Sequence, residues 1–239
     1  MKKSIFTILL ILVSPLSYSQ DFTKQQIDKW LNNPDAPLPV VKKQRKINEG
    51  KLVFLDRIKH KAVMHSENKI QITKSSLKDG WVNLNQCYKQ LDAFPRVQVV
   101  YKYKNIRKLK VHVIKKMDSA KVQGKSVQLV NVKKGATLCV SAQVQSLEKT
   151  GTAYQLKNGP FRRKFLDGYF PLRVSVSVSY PLALIKLARV SPNNKVIEKN
   201  KGILIHKTKN KIRLDATFEG VLNTRLVFKS TAGSDLSKF

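Results

Sequence analysis

Residues 158–171 (NGPFRRKFLDGYFP) interleave aromatic and basic side chains unusually densely. The side chains of this segment that we predict to bind a ligand are Phe161, Arg162, Arg163, Lys164, Phe165 and Tyr169. Aromatic faces beside guanidinium groups hold sugars or nucleobases through stacking and cation–π contacts. The alternative interpretation is that Gly159-Pro160 and Asp167-Gly168 form turns and that the aromatic side chains close one end of a β-sandwich.

Residues 96–116 form a second candidate surface, because they contain many basic residues and no acidic one. The lysines that we predict to contact an anionic ligand are Lys102, Lys104, Lys108 and Lys110. Residues two apart on a strand lie on one face, and the alternation predicts strands over 97–103 and 109–114. If these two strands pair as a hairpin, the lysines form one continuous cationic face. The alternative is that the lysines protect a sheet edge from aggregation.

Catalytic chemistry has little support in the sequence. The chain has four histidines, and it contains no HExxH, paired CxxC or GxSxG pattern. We therefore predict no catalytic residue, no metal site and no cofactor. The alternative is an enzyme whose site is not visible in the sequence. A glycosidase requires two facing carboxylates, and only the fold would bring two of the scattered carboxylates together.

Cys87 and Cys139 are the only two cysteines. An even pair in an exported protein predicts a disulfide. The strand phases place both residues on the more polar face of their strands, so this disulfide is expected near the surface and not in an immunoglobulin-type core. A nucleophilic cysteine is the alternative, although nothing near either residue resembles a cysteine-hydrolase signature.

The elements that must position these residues are short strands. After Gly50 the hydrophobic pattern has a period of two, most clearly where Val174, Val176 and Val178 alternate with serines. About a dozen such segments separated by turns predict a mainly β protein. We expect an antiparallel β-sandwich over residues 51–239, with one large or two small immunoglobulin-like sheets packed together, a short N-terminal helix, and two subdomains dividing near 150–172 as an open alternative.

The N-terminus has the three parts of a secretory signal peptide. Lys2 and Lys3 precede a short apolar run over residues 5–13, and the small residues Ser17 and Ser19 follow it. The run is too short to cross a bilayer, which needs about 20 apolar residues. We therefore predict that residues 1–19 are removed and that the protein is periplasmic or secreted, with no transmembrane segment after removal.

Residues 20–50 are predicted to be a helix followed by a linker. A capping pattern begins at Thr23, and the apolar residues Ile27, Trp30 and Leu31 lie on one helical face. The segment after Pro34 is rich in proline and lysine, which favours an extended and solvated linker. The apolar face of so short a helix must dock on the protein's own β domain, on a partner, or on a membrane surface.

The formal net charge is +31, from 46 basic and 15 acidic residues. Such a charge draws a protein to polyanions, and the excess of lysine over arginine favours diffuse adhesion over a precise phosphate pocket.

We predict an exported, non-enzymatic binding protein of the bacterial cell envelope that engages an anionic polymer or glycan through its basic and aromatic surface. Nucleic acid would bind without specificity, and peripheral membrane contact is a further option. The alternative function is a periplasmic chaperone or assembly factor that binds a protein by a strand edge or the N-terminal helix. A solvated lysine-rich surface without a partner also remains open.

Overall fold

The computed structural model describes residues 48–56, 63–165, 168–192 and 202–231. The contacts divide the chain into residues 1–46 and residues 47–239, and every described residue belongs to the second unit. The predicted signal peptide, the predicted N-terminal helix and most of the predicted linker therefore lie outside the described residues. The division near 150–172 stays a prediction.

The described residues are almost entirely β-strand. In chain order the strands are β1 (Val53–Phe54), β2 (His65–Gln71), β3 (Trp81–Leu91), β4 (Phe94–Val100), β5 (Ile106–Lys115), β6 (Ser119–Gln123), β7 (Ser126–Val132), β8 (Ala136–Gln145), β9 (Leu147–Thr150), β10 (Ala153–Phe161), β11 (Lys164–Phe165), β12 (Gly168–Tyr169), β13 (Leu172–Ser179), β14 (Ile185–Ser191), β15 (Ile203–Lys207), β16 (Lys211–Glu219) and β17 (Leu222–Ser230). A four-residue helix, α1 (Ser76–Asp79), precedes β3. No helix in the described part of the chain is long and apolar enough to span a membrane.

The largest sheet has eight strands in the order β1-β16-β13-β2-β3-β8-β5, with β15 also paired to β16. Its pairs are antiparallel except for the parallel pair of β13 and β2. Parallel neighbours need a long crossover, and here residues 72–171, which include β3, β5 and β8 of the same sheet as well as strands of the smaller sheets, lie between the two. The predicted β-sandwich is confirmed, and this one parallel pair departs from the antiparallel expectation.

Two smaller sheets cover the same face of the large sheet. These are a four-stranded sheet in the order β14-β17-β10-β9 and a three-stranded sheet in the order β4-β7-β6. The inward residues of β8 show the arrangement, because Ala142 and Val144 pack in one core cluster while Leu138 and Val140 pack in a second. The first cluster contains Phe228 of the four-stranded sheet, and the second contains Leu129 of the three-stranded sheet. Burying each such side chain contributes about 1.5–3 kcal/mol.

The hairpin considered for residues 96–116 does not form. Strand β4 pairs with β7 in the three-stranded sheet, whereas β5 pairs with β8 in the large sheet. Both strands carry apolar residues into the second core cluster, Val97 and Val99 from β4 and Val111 from β5. The chain must therefore cross from one layer to the other between them. Lys102 and Lys104 lie in this crossing segment, between the end of β4 and the start of β5, so the continuous lysine face of a hairpin does not form.

The second face of the large sheet, which we call the polar face, carries hydrophilic side chains. On β8 it presents Cys139, Ser141 and Gln143, which alternate with the buried apolar residues. Cys139 lies directly opposite Cys87 of β3 in the register of the two strands, and the two form a disulfide. The predicted disulfide is confirmed, and it lies on the polar face as the strand phases indicate.

Candidate functional site

A cavity of about 240 Å³ lies where the two covering sheets meet above the large sheet. Its lining comes from three elements: Gln86 and Tyr88 of β3, residues 100–103 at the end of β4, and residues 158–162 at the end of β10. Because it contains Tyr88, Tyr101 and Tyr103, we call it the tyrosine cavity. Each of the three sheets contributes one of these elements, so the cavity exists only in the assembled sandwich.

A local irregularity in β10 shapes one wall of the cavity. The register of β10 against β17 shifts between Asn158 and Phe161, and Gly159 there has φ of +115°. A Cβ atom at Gly159 would lie 2.9 Å from the carbonyl oxygen of Leu222, so only glycine fits this bulge. Asn158 and Phe161 on either side of the bulge are both buried.

The three tyrosine hydroxyls stay protonated at physiological pH. Burial raises the pKa of Tyr88 well above its ordinary value, and the neighbouring Tyr103 adds to the effect. Burial likewise raises the pKa of Tyr101, with further contributions from Tyr88 and Tyr103. For Tyr103 burial raises the pKa to about 12. The cavity therefore offers neutral phenols, each of which can donate and accept a hydrogen bond.

Asn158 supplies a hydrogen-bond donor that the protein does not use. Its side-chain oxygen accepts a hydrogen bond from the hydroxyl of Tyr103 at 3.4 Å, and its backbone oxygen accepts one from Thr224 at 3.2 Å. Its side-chain nitrogen is buried and has no hydrogen-bond partner. The Tyr101 hydroxyl is also buried, and it interacts with the neighbouring hydroxyl of Tyr88. A buried unpaired polar group costs about 1–3 kcal/mol, so an acceptor atom of a ligand would relieve that cost.

The charge at the cavity is positive. Lys102 and Arg162 are both exposed, both line the cavity, and no carboxylate is among the lining residues. Phe161 adds an apolar wall. The structure thus brings together Phe161 and Arg162 from the first predicted segment with Lys102 from the second.

Three of the remaining predicted residues of segment 158–171, Arg163, Lys164 and Tyr169, have partners within the protein. Arg163 donates two hydrogen bonds to the carboxylate of Asp92, at 2.6 and 3.0 Å, and its guanidinium lies 5.6 Å from the ring centre of Phe170. The Lys164 ammonium lies 5.7 Å from the ring centre of Tyr169, which pairs with it across β11 and β12. Phe165 belongs to β11, and its side chain lies outside the described residues.

The other three predicted lysines occupy two further places. Lys104 lines a cavity of about 350 Å³ beside α1 and β9. Lys108 and Lys110 line a cleft of about 350 Å³ on the polar face. A ligand-binding role for each stays a prediction.

Sequence reasoning did not select Gln86, Tyr88, Tyr101, Tyr103 or Asn158 as site residues. The alternation with Lys102 correctly indicates that Tyr101 and Tyr103 are less exposed than the lysine between them, although all three lie beyond the end of β4 and not in the strand predicted over 97–103. The available signal was chemical, because tyrosine brings a hydroxyl group to a position where phenylalanine would fill the same space. Their convergence depends on the packing of three sheets, which residue spacing does not encode.

One cluster contains the residue types of a hydrolase but not the required arrangement. The His65 Nε2 atom lies 2.8 Å from the Ser175 Oγ atom, and the same hydroxyl donates to Asp215. Serine therefore lies between histidine and aspartate, whereas a catalytic triad places histidine between the other two. Ser175 is also fully buried. Among the described residues no group of three or more His, Cys, Asp or Glu side chains could hold a metal ion.

Comparison with known proteins identifies no family. No family model matches the chain, and no curated protein matches it. Among solved structures it is similar to a mutant M1 zinc metallopeptidase from Deinococcus radiodurans bound to a Tyr-Ser-Ala substrate, with a TM-score of 0.41 and 9% identity over 70% of this chain and 42% of that one. A second M1 zinc metallopeptidase structure from Deinococcus radiodurans gives a TM-score of 0.38 and 10% identity over 77% of this chain and 43% of that one. This chain spans less than half the length of those proteins, and likeness at this level carries no argument about activity.

Proposed function

We propose that this protein is an exported, non-enzymatic binding protein of the bacterial cell envelope that binds an anionic glycan, with the tyrosine cavity as the specific site. The observation that carries the proposal is the meeting of Lys102 and Arg162 with aromatic walls and the unpaired amide nitrogen of Asn158. These groups match a sugar unit that carries a carboxylate or a phosphate.

Each part of such a ligand has a counterpart in the cavity. The apolar face of a sugar ring packs on an aromatic side chain such as Phe161, and sugar hydroxyls exchange hydrogen bonds with the tyrosine hydroxyls and the Asn158 amide. The anionic group pairs with the exposed ammonium of Lys102 and guanidinium of Arg162. A volume of about 240 Å³ suits one sugar unit and not a large ligand, since pockets for drug-sized molecules are about 300–1,000 Å³.

Export is supported by two independent features. The first is the signal-peptide pattern of residues 1–19. The second is the disulfide between Cys87 and Cys139, because disulfides persist in oxidising compartments and are rare in the cytosol. The net charge of +31 suits the anionic polymers of a cell envelope.

The chaperone alternative would use a free strand edge, and the edge at β5 is poorly suited to it. Strand β5 ends the large sheet, but its register against β8 shifts at two places. It also carries Arg107, Lys108 and Lys110 as exposed basic residues. Bulges and lysines are devices that prevent strand addition, and this observation favours the glycan proposal.

The test is binding of the purified protein to defined polymers across a salt series. The panel contains an oligogalacturonate as a carboxylated glycan, a neutral oligosaccharide of similar length, and single-stranded DNA. The site variant is Lys102→Gln with Arg162→Gln, and the charge-matched control is Lys186→Gln with Lys229→Gln, two exposed lysines that face each other across β14 and β17.

We expect the oligogalacturonate to remain bound at physiological salt and the DNA to be released, because purely electrostatic binding falls steeply with salt. The site variant should lose about tenfold or more in glycan affinity, since hydrogen bonds to charged groups contribute about 1.5–3 kcal/mol each. The control should bind as the wild type does. Equal binding of both polyanions, lost at physiological salt and insensitive to the site variant, would overturn the proposal.

A further inference from the structure

The cleft on the polar face, which we call the polar-face cleft, has the composition of a second binding site. It has a volume of about 350 Å³ and is lined by the amides of Gln71, Asn83, Asn85 and Gln143 together with Lys108 and Lys110. No carboxylate and no aromatic residue is part of this lining. The cleft thus combines amide hydrogen-bonding groups with positive charge.

Three of the amides of this cleft, those of Gln71, Asn83 and Gln143, are held in place by hydrogen bonds. Asn83 donates to Gln71 at 3.3 Å, Gln143 donates to Asn83 at 3.0 Å, and Arg107 donates to Gln143 at 2.9 Å. This chain of hydrogen bonds crosses four adjacent strands of the large sheet, which are β2, β3, β8 and β5 in that order. Each amide has a second N–H and a second lone pair, which are therefore presented in fixed directions to a ligand.

A bulge in β5 brings basic side chains to the polar-face cleft. The register of β5 against β8 shifts between Arg107 and Lys110, and Lys108 within the shift has a positive φ of 54°. Consecutive residues of a regular strand point to opposite faces. Because of the bulge, Arg107 reaches Gln143 while Lys108 lines the same cleft.

The polar-face cleft and the tyrosine cavity lie back to back across one sheet. Asn85 of β3 lines the cleft, and the next residue, Gln86, lines the cavity. Adjacent residues of a strand project to opposite faces, so the two sites open in opposite directions. One ligand molecule of a single sugar unit cannot occupy both.

We propose that the polar-face cleft is a second site for the same carboxylated glycan, so that one protein molecule bridges two glycan chains. The assignment to a glycan rests on the fixed amides, which match sugar hydroxyls, and on Lys108 and Lys110, which match its carboxylates. Nucleic acid is disfavoured because the cleft lacks the aromatic side chains on which bases stack. The bridging of two glycan chains rests on the proposed function of the tyrosine cavity. Glycan binding by the polar-face cleft rests only on the contacts of the cleft itself.

The stoichiometry of oligogalacturonate binding tests the second site. Calorimetry at physiological salt should give two equivalents for the wild type and for the Lys186→Gln/Lys229→Gln control. It should give one equivalent for Lys108→Gln with Lys110→Gln, and one for Lys102→Gln with Arg162→Gln. A wild type that binds one equivalent, lost only in the Lys102/Arg162 variant, overturns the second site and leaves the proposed function intact. One equivalent lost only in the Lys108/Lys110 variant overturns the tyrosine cavity and the bridging.

Bridging is tested with long polygalacturonate. The wild type and the control should cross-link the polymer, seen as a rise in light scattering that passes through a maximum as protein is added. Each two-residue site variant should bind the polymer without raising the scattering. Cross-linking that persists in either site variant, or equal cross-linking of single-stranded DNA at physiological salt, would overturn the proposal.

Discussion

Protonation of His65 should destabilise the protein below neutral pH. His65 is half-buried on the polar face, and its imidazole lies 2.8 Å from the Ser175 hydroxyl. Burial and then the charge of Arg173 lower its pKa from 6.5 to about 4. The other charged groups that act on it are Lys89, which lowers the pKa further, and Glu67 and Asp215, which raise it.

The sign and size of the effect follow from linkage. The unfolded chain takes up a proton on this histidine near its ordinary pKa of 6.5, whereas the folded protein does so only near 4. The stabilisation is therefore complete above about pH 6.5 and is lost as the pH falls toward 4. Between about pH 7 and about pH 5 the two pKa values correspond to a loss of about 2 kcal/mol. Partial exposure of the ring to solvent reduces the expected loss to about 1 kcal/mol.

Urea unfolding at about pH 7, 6 and 5 measures this loss. The variant His65→Gln keeps a hydrogen-bonding group for Ser175 but cannot titrate, so its free energy of unfolding should fall by about 1 kcal/mol less than that of the wild type. Glu67 and Asp215 have lowered pKa values, caused chiefly by Lys89 and by Arg213 respectively, and they are present in both proteins. The control His206→Gln, at an exposed site of β15, should follow the wild type. Parallel pH dependences of the wild type and His65→Gln would refute the reasoning.

Three further outcomes are expected. Replacing Cys87 and Cys139 together by serine should lower the free energy of unfolding by about 4 kcal/mol or less, because the bridge joins residues separated by 52 positions; an unchanged urea midpoint would contradict this. The substitution Asp92→Asn should cost about 1 kcal/mol in the same assay, because it weakens a bidentate pair with Arg163, and a loss no larger than that of an exposed-site control would argue against it. The exported protein should begin at Gln20, which intact mass measurement decides, and a mass that includes residues 1–19 would refute the predicted cleavage.

The strand content and the face of several residues could be predicted from the sequence. The alternation of Val174, Val176 and Val178 with serines identifies β13, and the phases of Cys87 and Cys139 place the disulfide on the polar face. These features depend only on residues near one another in the sequence, because strand periodicity is a local property. They can therefore be predicted from the sequence alone.

The pairing of the strands could not be predicted in the same way. Strands β4 and β5 follow each other and both alternate less exposed apolar residues with exposed ones, yet they belong to different layers. The choice depends on which apolar faces fit together in the finished core, which is a property of the whole chain. The tyrosine cavity was missed for the same reason, since Tyr88, Tyr101 and Asn158 come from three elements that meet only after the sheets pack.

The parallel pair of β2 and β13 joins parts of the chain that are far apart in sequence. His65 and Ser175, which contact each other in this pair, are 110 residues apart, and β1 near the start of the described chain pairs with β16 near its end. Strands β2, β3, β8 and β5 can assemble as soon as residue 145 is available, but the other half of the large sheet must wait for the last third of the chain. Contacts between such distant residues slow folding. A nascent chain of this topology therefore cannot complete the large sheet until β16 has been synthesised.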